Sequence, residues 1–445
     1  MSNIIKISAD EYKDSVLVIN PGKAVEIGLG RKKQAYISFG SQKHFVDVKM
    51  SDDISEDNIL LSQNIIDELH LPDYPVYETC TGKNEMVIGP FIGLLFSAED
   101  ESLTEGRLNK LMVYVRDYSK LHGAIVVFAL DKVDTANRLI EGYCYNPIRD
   151  CWQRGIFPYP SSIYRVIGLS EQWKNHFLSI IGDTVFNNRY FSKWDMYEWF
   201  SSDKRINYHM PYTLKYNSDK DVLDMLERFE KVYIKPVSGM KGHGIVQVKK
   251  KANSVVFKYR ENGINHELEM EDSHEIKRYI QKRFYQGKCL VQQAIDLMEY
   301  NERIVDFRCA LQKNQSDMWV CNTIFGRCGD KDSIVSNISS GGTAFSAEEL
   351  LKNVFPHSKE SVSALIKRME SLALDACFVL DEFGINCGTL GLDIGIDKQG
   401  YLWLIEINNR DPSPQFALDI NEEQLYYTIK TSPLFYAKSL AGFKR

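Results

Sequence analysis

Short runs in which every second residue is apolar dominate the first eighty or so positions, at residues 15–19 (SVLVI), 34–40 (QAYISFG) and 44–50 (HFVDVKM). A period of two marks half-buried strands, so this part predicts a small β-rich module over 1–85. Within it SQNIIDELHL at 62–71 has helical spacing behind Ser62, which is placed as an N-cap. The pattern changes at 86–96, MVIGPFIGLLF, which reads as a buried strand. A helix is predicted over 107–123 and a second buried strand over 124–130 (AIVVFAL). Strand, helix and strand with uninterrupted apolar strands predict a parallel α/β layer, assigned to 86–155. Two prolines in GIFPYPSSIY (155–164) suggest a boundary. Beyond it the spacing predicts helices over 173–181 and 194–200, a glycine loop, and a run of hairpins to about residue 410. Residues 422–440 predict a helix broken near Pro433, and 431–445 a helical tail.

A chain of 445 residues exceeds one compact core, so two or three domains are expected. The net charge of −6 offers no basic field, which argues against nucleic-acid or membrane partners. No apolar run reaches membrane-spanning length, and the N-terminus lacks a basic segment followed by a long apolar one. Nine cysteines without a CxxC pair read as reduced thiols. The expectation is a soluble cytoplasmic protein.

Residues 233–245, YIKPVSGMKGHGI, place Lys235 at the end of an apolar run, followed by Ser238, Gly239, Lys241, Gly242 and Gly244. Such loops hold phosphate because exposed backbone N–H groups approach an anion where no Cβ intervenes. No Lys-Ser/Thr pair follows, which excludes a Walker loop. The alternation of IVQVKK at 245–250 excludes a dinucleotide fingerprint opening a helix. What fits is strand, glycine loop, strand: a hairpin whose tip folds over a nucleotide, with Lys235 as a point charge. A loose turn with a solvated lysine is the plainer alternative.

The stretch GLDIGIDKQGYLWLIEINN (391–409) reads as two strands about a DKQG turn. With Ile396 opposite Tyr401, Asp393 lies opposite Leu404. Leu392, Ile394, Ile396, Tyr401, Trp403, Ile405 and Ile407 then form one apolar face. The other face carries Asp393, Glu406 and Asn408, with Leu402 and Leu404 beside them. Two carboxylates and an amide oxygen suit a hard cation such as Mg²⁺, whose other ligands are phosphates and waters. Ordinary polar residues on a solvated strand are the alternative. Between the two motifs, RIVDFRCAL (303–311) is a strand with Asp306 and Arg308 on one side. Its expected partner, MWVCNTIFGR (318–327), ends in Arg327, and Asn337 precedes a double glycine. Arginines directed at the site would bind phosphoryl or acyl-phosphate oxygens in a fixed fork.

Read in order, Lys193, Lys235 with its glycine hairpin, LVQQAI (290–295), DFR (306–308), Arg327, Asn337 with ISSGG, Asp393 and EIN (406–408) resemble the ATP-grasp fold. The chain is similar to its glutamate-ligase-like branch and, over most of its length, to the spore-coat-associated YheC/YheD family. The resemblance implies an α+β architecture in which two subdomains grip ATP over 156–430, with a lid at about 190–295 and a pre-ATP-grasp domain at 86–155. It implies that Lys193 and Lys235 contact phosphates, that residues 238–244 cover them, and that Gln292, Gln293, Ala294 and Ile295 meet adenine through backbone groups. Arg308, Arg327 and Asn337 would then serve the phosphoryl and acyl-phosphate groups. Asp393, Glu406 and Asn408 would hold one or two Mg²⁺, with Mn²⁺ as a substitute. Two departures stand out: the linker has Gln-Gln where relatives often place an acid, and Asn409-Arg410-Asp411-Pro412 follows EIN. The implied activity is an ATP-dependent ligase joining a small-molecule or peptide carboxylate to an amine through an acyl phosphate. A kinase, or a spore-envelope structural protein retaining a nucleotide pocket, are the alternatives. The resemblance also raises association with the spore. Sequence leaves the substrates, the oligomeric state and the role of the N-terminal module open.

Overall fold

The computed structural model describes residues 4–10, 14–30, 32–82, 85–239, 243–331, 342–355, 360–409, 412 and 414–444. The alternating segments of the N-terminal region curl into a closed barrel in the order Ile4–Asp10, Asn58–Ser62, Val16–Ile19, Gln42–Met50, Gln34–Phe39, Glu85–Gly89 and Tyr77–Gly82. Ile5, Leu17, Ile37, Phe39 and Ile59 are fully buried in its core. The stretch expected as one strand over 86–96 is in fact two. Glu85–Gly89 closes the barrel, and after Pro90 the strand Phe91–Ser97 enters a second sheet. Ser62 precedes a helix, Gln63–Leu69, but does not cap it. Its hydroxyl accepts from the Val16 amide at 3.0 Å and donates to the Asp14 carbonyl at 2.6 Å, tying strands instead.

In the second sheet Phe91–Ser97 pairs parallel with Ala124–Asp134, as the uninterrupted apolar runs predict. The sheet continues through Ser162–Arg165 and Val185–Phe186, past the boundary expected at 155–156. The helix expected over 107–123 is broken into Glu105–Leu111, a 3₁₀ turn at Met112–Val115 and Tyr118–Leu121. The Tyr118 hydroxyl bridges the Val76 amide and the Gly123 carbonyl, so tertiary contacts override the local pattern.

The C-terminal helix Glu423–Leu440 packs Leu434, Tyr436 and Ala437 on this sheet and passes through Pro433 without breaking. Proline removes the bond that the Ile429 carbonyl would accept four residues back. Gln312 Nε2 supplies that bond at 2.8 Å from a neighbouring sheet.

Two further sheets build the rest. One runs Thr213–Lys215, Cys289–Gln293, Lys231–Pro236, Val246–Lys250, Val255–Glu261 and Ile264–Met270. Helices Asp219–Phe229 and Ser273–Arg283 pack on it through Val222, Leu226, Ile276 and Ile280. The other runs Thr343–Ser346, Trp319–Cys328, Arg303–Lys313, Thr389–Ile396 and Leu402–Asn408. The run of hairpins expected to residue 410 is therefore interrupted by helices, the longest being Val362–Glu382. Its Leu365, Met369, Leu372 and Ala376 form a buried stripe at helical spacing against the last sheet. Among the described residues no helix is long and apolar enough to cross a membrane.

Candidate active site

Lys231–Pro236 and Val246–Lys250 form the expected antiparallel pair, with Ile234 opposite Val246. Gly244, at the return of the loop, has φ +74°, where a Cβ would be strained and would meet Pro236 at 3.0 Å. Lys193 opens the helix Lys193–Ser202. Ser192 and Asp195 close a capping box there, Asp195 N to Ser192 Oγ at 3.2 Å and Ser192 N to Asp195 Oδ2 at 2.7 Å. This fixes the backbone that carries the lysine. Lys193 Nζ donates to the Gly239 carbonyl at 3.0 Å and lies 3.1 Å from Glu406 Oε1. One ammonium thus joins the glycine loop to the acidic hairpin.

That hairpin is built differently from the expected register. Ile396 pairs with Leu402, not Tyr401, and Ile394 pairs with Leu404. An irregularity between Asp393 and Ile394 then brings Asp393 directly opposite Glu406, with Gly391 opposite Asn408. The extra residue on the second strand is Ile405. Leu402 and Leu404 consequently belong to the buried core, while Ile405 lines the cleft beside Glu406. A register set by simple alternation inverts those residues; the acidic pair survives because it lies beyond the bulge.

The cleft between the two sheets is lined by Lys193, Lys235, Gly239, Gln292, Gln293, Ile295, Arg327, Asp393 and Glu406 among the expected residues. Tyr233, Ile245, Leu297, Ile304, Ile405 and Asp306 complete its walls together with Pro211, Pro236 and His243. The apolar members were missed as site residues, although Ile304 and Asp306 share the strand face of Arg308. Ser238 and Gly244 lie beside the cleft without lining it, as do Ala294, Arg308 and Asn408. Lys241, Gly242 and Asn337 fall outside the described residues.

The linker is less open than expected. The Gln293 amide is committed to the Tyr212 carbonyl at 2.8 Å and the Ala294 amide to the Lys231 carbonyl at 3.1 Å. Gln292 acts through its side chain, accepting from Lys235 Nζ at 2.6 Å and donating to Thr213 Oγ1 at 2.9 Å. Lys235 therefore has a neutral partner, not a carboxylate, at its tip. Burial pushes its ammonium down to about 8; Glu406 opposes the shift and Lys193 adds to it.

The base of the cleft is a charge ladder. Arg327 Nε donates to Asp306 Oδ1 at 2.7 Å and its Nη2 to Oδ2 at 2.5 Å, while Nη2 also lies 3.0 Å from Asp393 Oδ2. Arg308 takes Asp393 in a second fork, Nε to Oδ1 and Nη2 to Oδ2, the latter at 3.1 Å. Asp306, Arg327 and Asp393 are all buried. Burial raises the cost of charge on Asp393, but Arg308 and Arg327 outweigh it and hold the carboxyl below its usual range. Burial likewise disfavours the Arg327 guanidinium, and Asp306 and Asp393 more than restore it.

Asp393, Glu406 and Asn408 offer two carboxylates and a carboxamide oxygen, all hard donors, and as a set they fit a divalent cation. Among the described residues no group of three or more His, Cys, Asp and Glu converges. Asn408 Nδ2 lies 3.4 Å from Asp393 Oδ2.

Residues 182–440, more than half of the chain, match the YheC/D-like ATP-grasp family. The chain belongs to that family. Its α+β ATP-grasp fold is the one the ordered motifs led us to expect. Endospore coat-associated protein YheD of Bacillus subtilis (strain 168) is 26% identical over 368 residues, 80% of each chain. Endospore coat-associated protein YheC of the same organism is 23% identical over 234 residues, 52% of this chain and 62% of its own. Among solved structures, the VanG D-Ala:D-Ser ligase from Enterococcus faecalis aligns with a TM-score of 0.45 at 12% identity, over 80% of this chain and 99% of that one. D-alanyl-alanine synthetase A from Vibrio cholerae O1 aligns at 0.40 and 10% identity, over 77% and 97%. In this YheC/D-like protein the cleft is lined from one side by the glycine hairpin and from the other by the acidic hairpin.

Proposed function

We propose that this cleft binds Mg²⁺–ATP and that the protein is an ATP-dependent carboxylate–amine ligase releasing ADP and phosphate. The observation that carries the reading is the convergence of Lys193 and Lys235, from separate elements, on a cleft floored by Asp393 and Glu406. Two ammonium groups on one wall receive a polyphosphate. The opposite wall offers the oxygen donors a divalent cation requires, and such a cation neutralises charge developing on the transferred phosphoryl group. A substrate carboxylate oxygen attacks the γ-phosphorus, the bond to ADP breaks, and an acyl phosphate forms. An amine then attacks the acyl carbon; phosphate departs, and the amine proton passes to solvent or phosphate. Phosphoryl transfer needs positioning and electrostatics more than a protein nucleophile. Lys193 and Lys235 orient the phosphates, and the wall formed by Tyr233, Ile245, Leu297 and Ile304 gives an adenine ring an apolar seat.

The acceptors in this reading are a small-molecule or peptide carboxylate and an amine. The names of the Bacillus subtilis relatives favour action at, or on material bound for, the spore coat, from the cytoplasmic side. Purified protein incubated with ATP, Mg²⁺ and a panel of acids and amines is expected to release ADP in a manner that depends on both substrates. Release of AMP and pyrophosphate would overturn the activation step. A phosphorylated acceptor with no amide would make the protein a kinase.

A further inference from the structure

Thr213, Gln292 and Lys235 stand on three strands of the sheet that carries the glycine hairpin, Thr213–Lys215, Cys289–Gln293 and Lys231–Pro236. Thr213 lies directly opposite Gln292. The hydrogen bonds that join the three side chains can run in one direction only. The Pro211 carbonyl accepts and cannot donate, so the Thr213 hydroxyl gives it its single proton at 2.8 Å. The same hydroxyl oxygen lies 2.9 Å from the Gln292 amide and is left to accept, so the group facing it is Nε2. The amide oxygen of Gln292 therefore points the other way, where the Lys235 ammonium, a donor only, meets it at 2.6 Å. Both ends demand the same orientation. Turned over, the amide would set N–H groups against the ammonium and an oxygen against a hydroxyl whose proton is spent.

Thr213 and Gln292 are buried, and Thr213, unlike the other two, does not line the cleft. A lysine head on a flexible four-carbon stem wanders unless it is held. Here the hold is one uncharged oxygen, which leaves two of the three N–H donors for a ligand. A carboxylate in place of that oxygen would hold the head but offset its charge.

We propose, resting on the nucleotide reading above, that Thr213 is a positioning residue for nucleotide binding. It acts through Gln292, whose oriented amide oxygen keeps the Lys235 ammonium at the cleft wall without neutralising it. The threonine touches no ligand; it sets the polarity of the group that aims the lysine.

The test is Mg²⁺–ADP affinity, measured by calorimetry on the full chain. Thr213→Val keeps the shape and removes the acceptor, and is expected to weaken binding about fivefold. Thr213→Ser restores the hydroxyl and is expected to bind as the wild type does. Gln292→Met removes the oxygen that holds the lysine and leaves no buried amide unpaired; a loss of about tenfold is expected. The coupling separates positioning from mere structure. With Lys235→Met in place, Thr213→Val should weaken binding no further, whereas a purely structural threonine would cost as much in either background. Unchanged affinity in Gln292→Met, or a Thr213→Val loss that persists beside Lys235→Met, would overturn the proposal and leave the nucleotide reading intact. The methionine variant at 292 decides the matter even where the valine variant does not fold. A wild-type chain that fails to bind Mg²⁺–ADP would remove the nucleotide reading, and the proposal with it.

Discussion

The two walls of the cleft carry similar charges and spend them differently. Below, Arg308 and Arg327 are matched by Asp306 and Asp393 in interlocking forks, mostly buried. Above, Lys235 rests on the amide oxygen of Gln292, and Lys193 shares itself between a backbone carbonyl and Glu406. The lower wall is electrostatically closed and acts as framework. The upper wall is cation-rich, and its tension is visible in the depressed Lys235 ammonium. A ligand anion gains most where protein charge lacks an equal partner, so under the proposed function the lysines rather than the arginines would receive the phosphates.

The largest effect should come from breaking the closed wall. Arg327→Met leaves the buried Asp306 without its fork and should lower unfolding free energy by roughly 3–5 kcal/mol, measured by denaturant titration. A loss near zero would mean that the ladder carries no structural burden. Next comes the open wall. Lys235→Met should weaken nucleotide binding by about 1.5–3 kcal/mol, the worth of a hydrogen bond to a charged group, with the melting temperature unchanged or raised. Unaltered affinity by calorimetry would place the phosphates elsewhere.

The same contrast has a pH signature. In the free protein the Lys235 ammonium loses its proton near pH 8, below the ordinary lysine value, whereas a bound phosphate favours the charged form. Nucleotide binding at pH 8–9 should therefore take up protons, and binding at pH 6.5 should take up almost none. Calorimetry in buffers of different ionisation enthalpy reads this directly. The linkage on folding has the matching sign. Between about pH 8 and the unfolded lysine value the unfolded chain binds more protons, so this group's contribution to stability rises with pH there.

The smallest effect is local. Gly391→Ala would place a Cβ 2.8 Å from Pro412 and 3.2 Å from Arg308 Cδ. Overpacking of this kind should cost about 1–3 kcal/mol, and the further loss on adding Gly391→Ala should be smaller in an Arg308→Ala background than in the wild type.

Much of both walls was legible in the chain. The glycine hairpin, the pairing of the strands that carry Asp306 and Arg327, and the parallel strands at 91–97 and 124–134 follow from periodicity and turn chemistry. The register of the acidic hairpin was not, because one bulged residue, Ile405, reverses which side chains face the core, and alternation gives no sign of it. Helix 362–382 was readable from Leu365, Met369, Leu372 and Ala376, but was lost among apolar residues assigned to hairpins. The unbroken helix at Pro433 lay beyond local reading, since the group that rescues it, Gln312, lies more than a hundred residues away in sequence. The counter-ion role of the arginines was hidden in the same way: sequence placed them near Asp393 without showing that they already hold it.

The most direct measurement is Mg²⁺–ATP binding by calorimetry to the wild-type chain and to Lys193→Met/Lys235→Met, with folding checked by circular dichroism. The account predicts one nucleotide per chain for the wild type and at least a tenfold loss for a still-folded double variant. A wild-type chain that binds no nucleotide, or a double variant that binds as well as the parent, would contradict it.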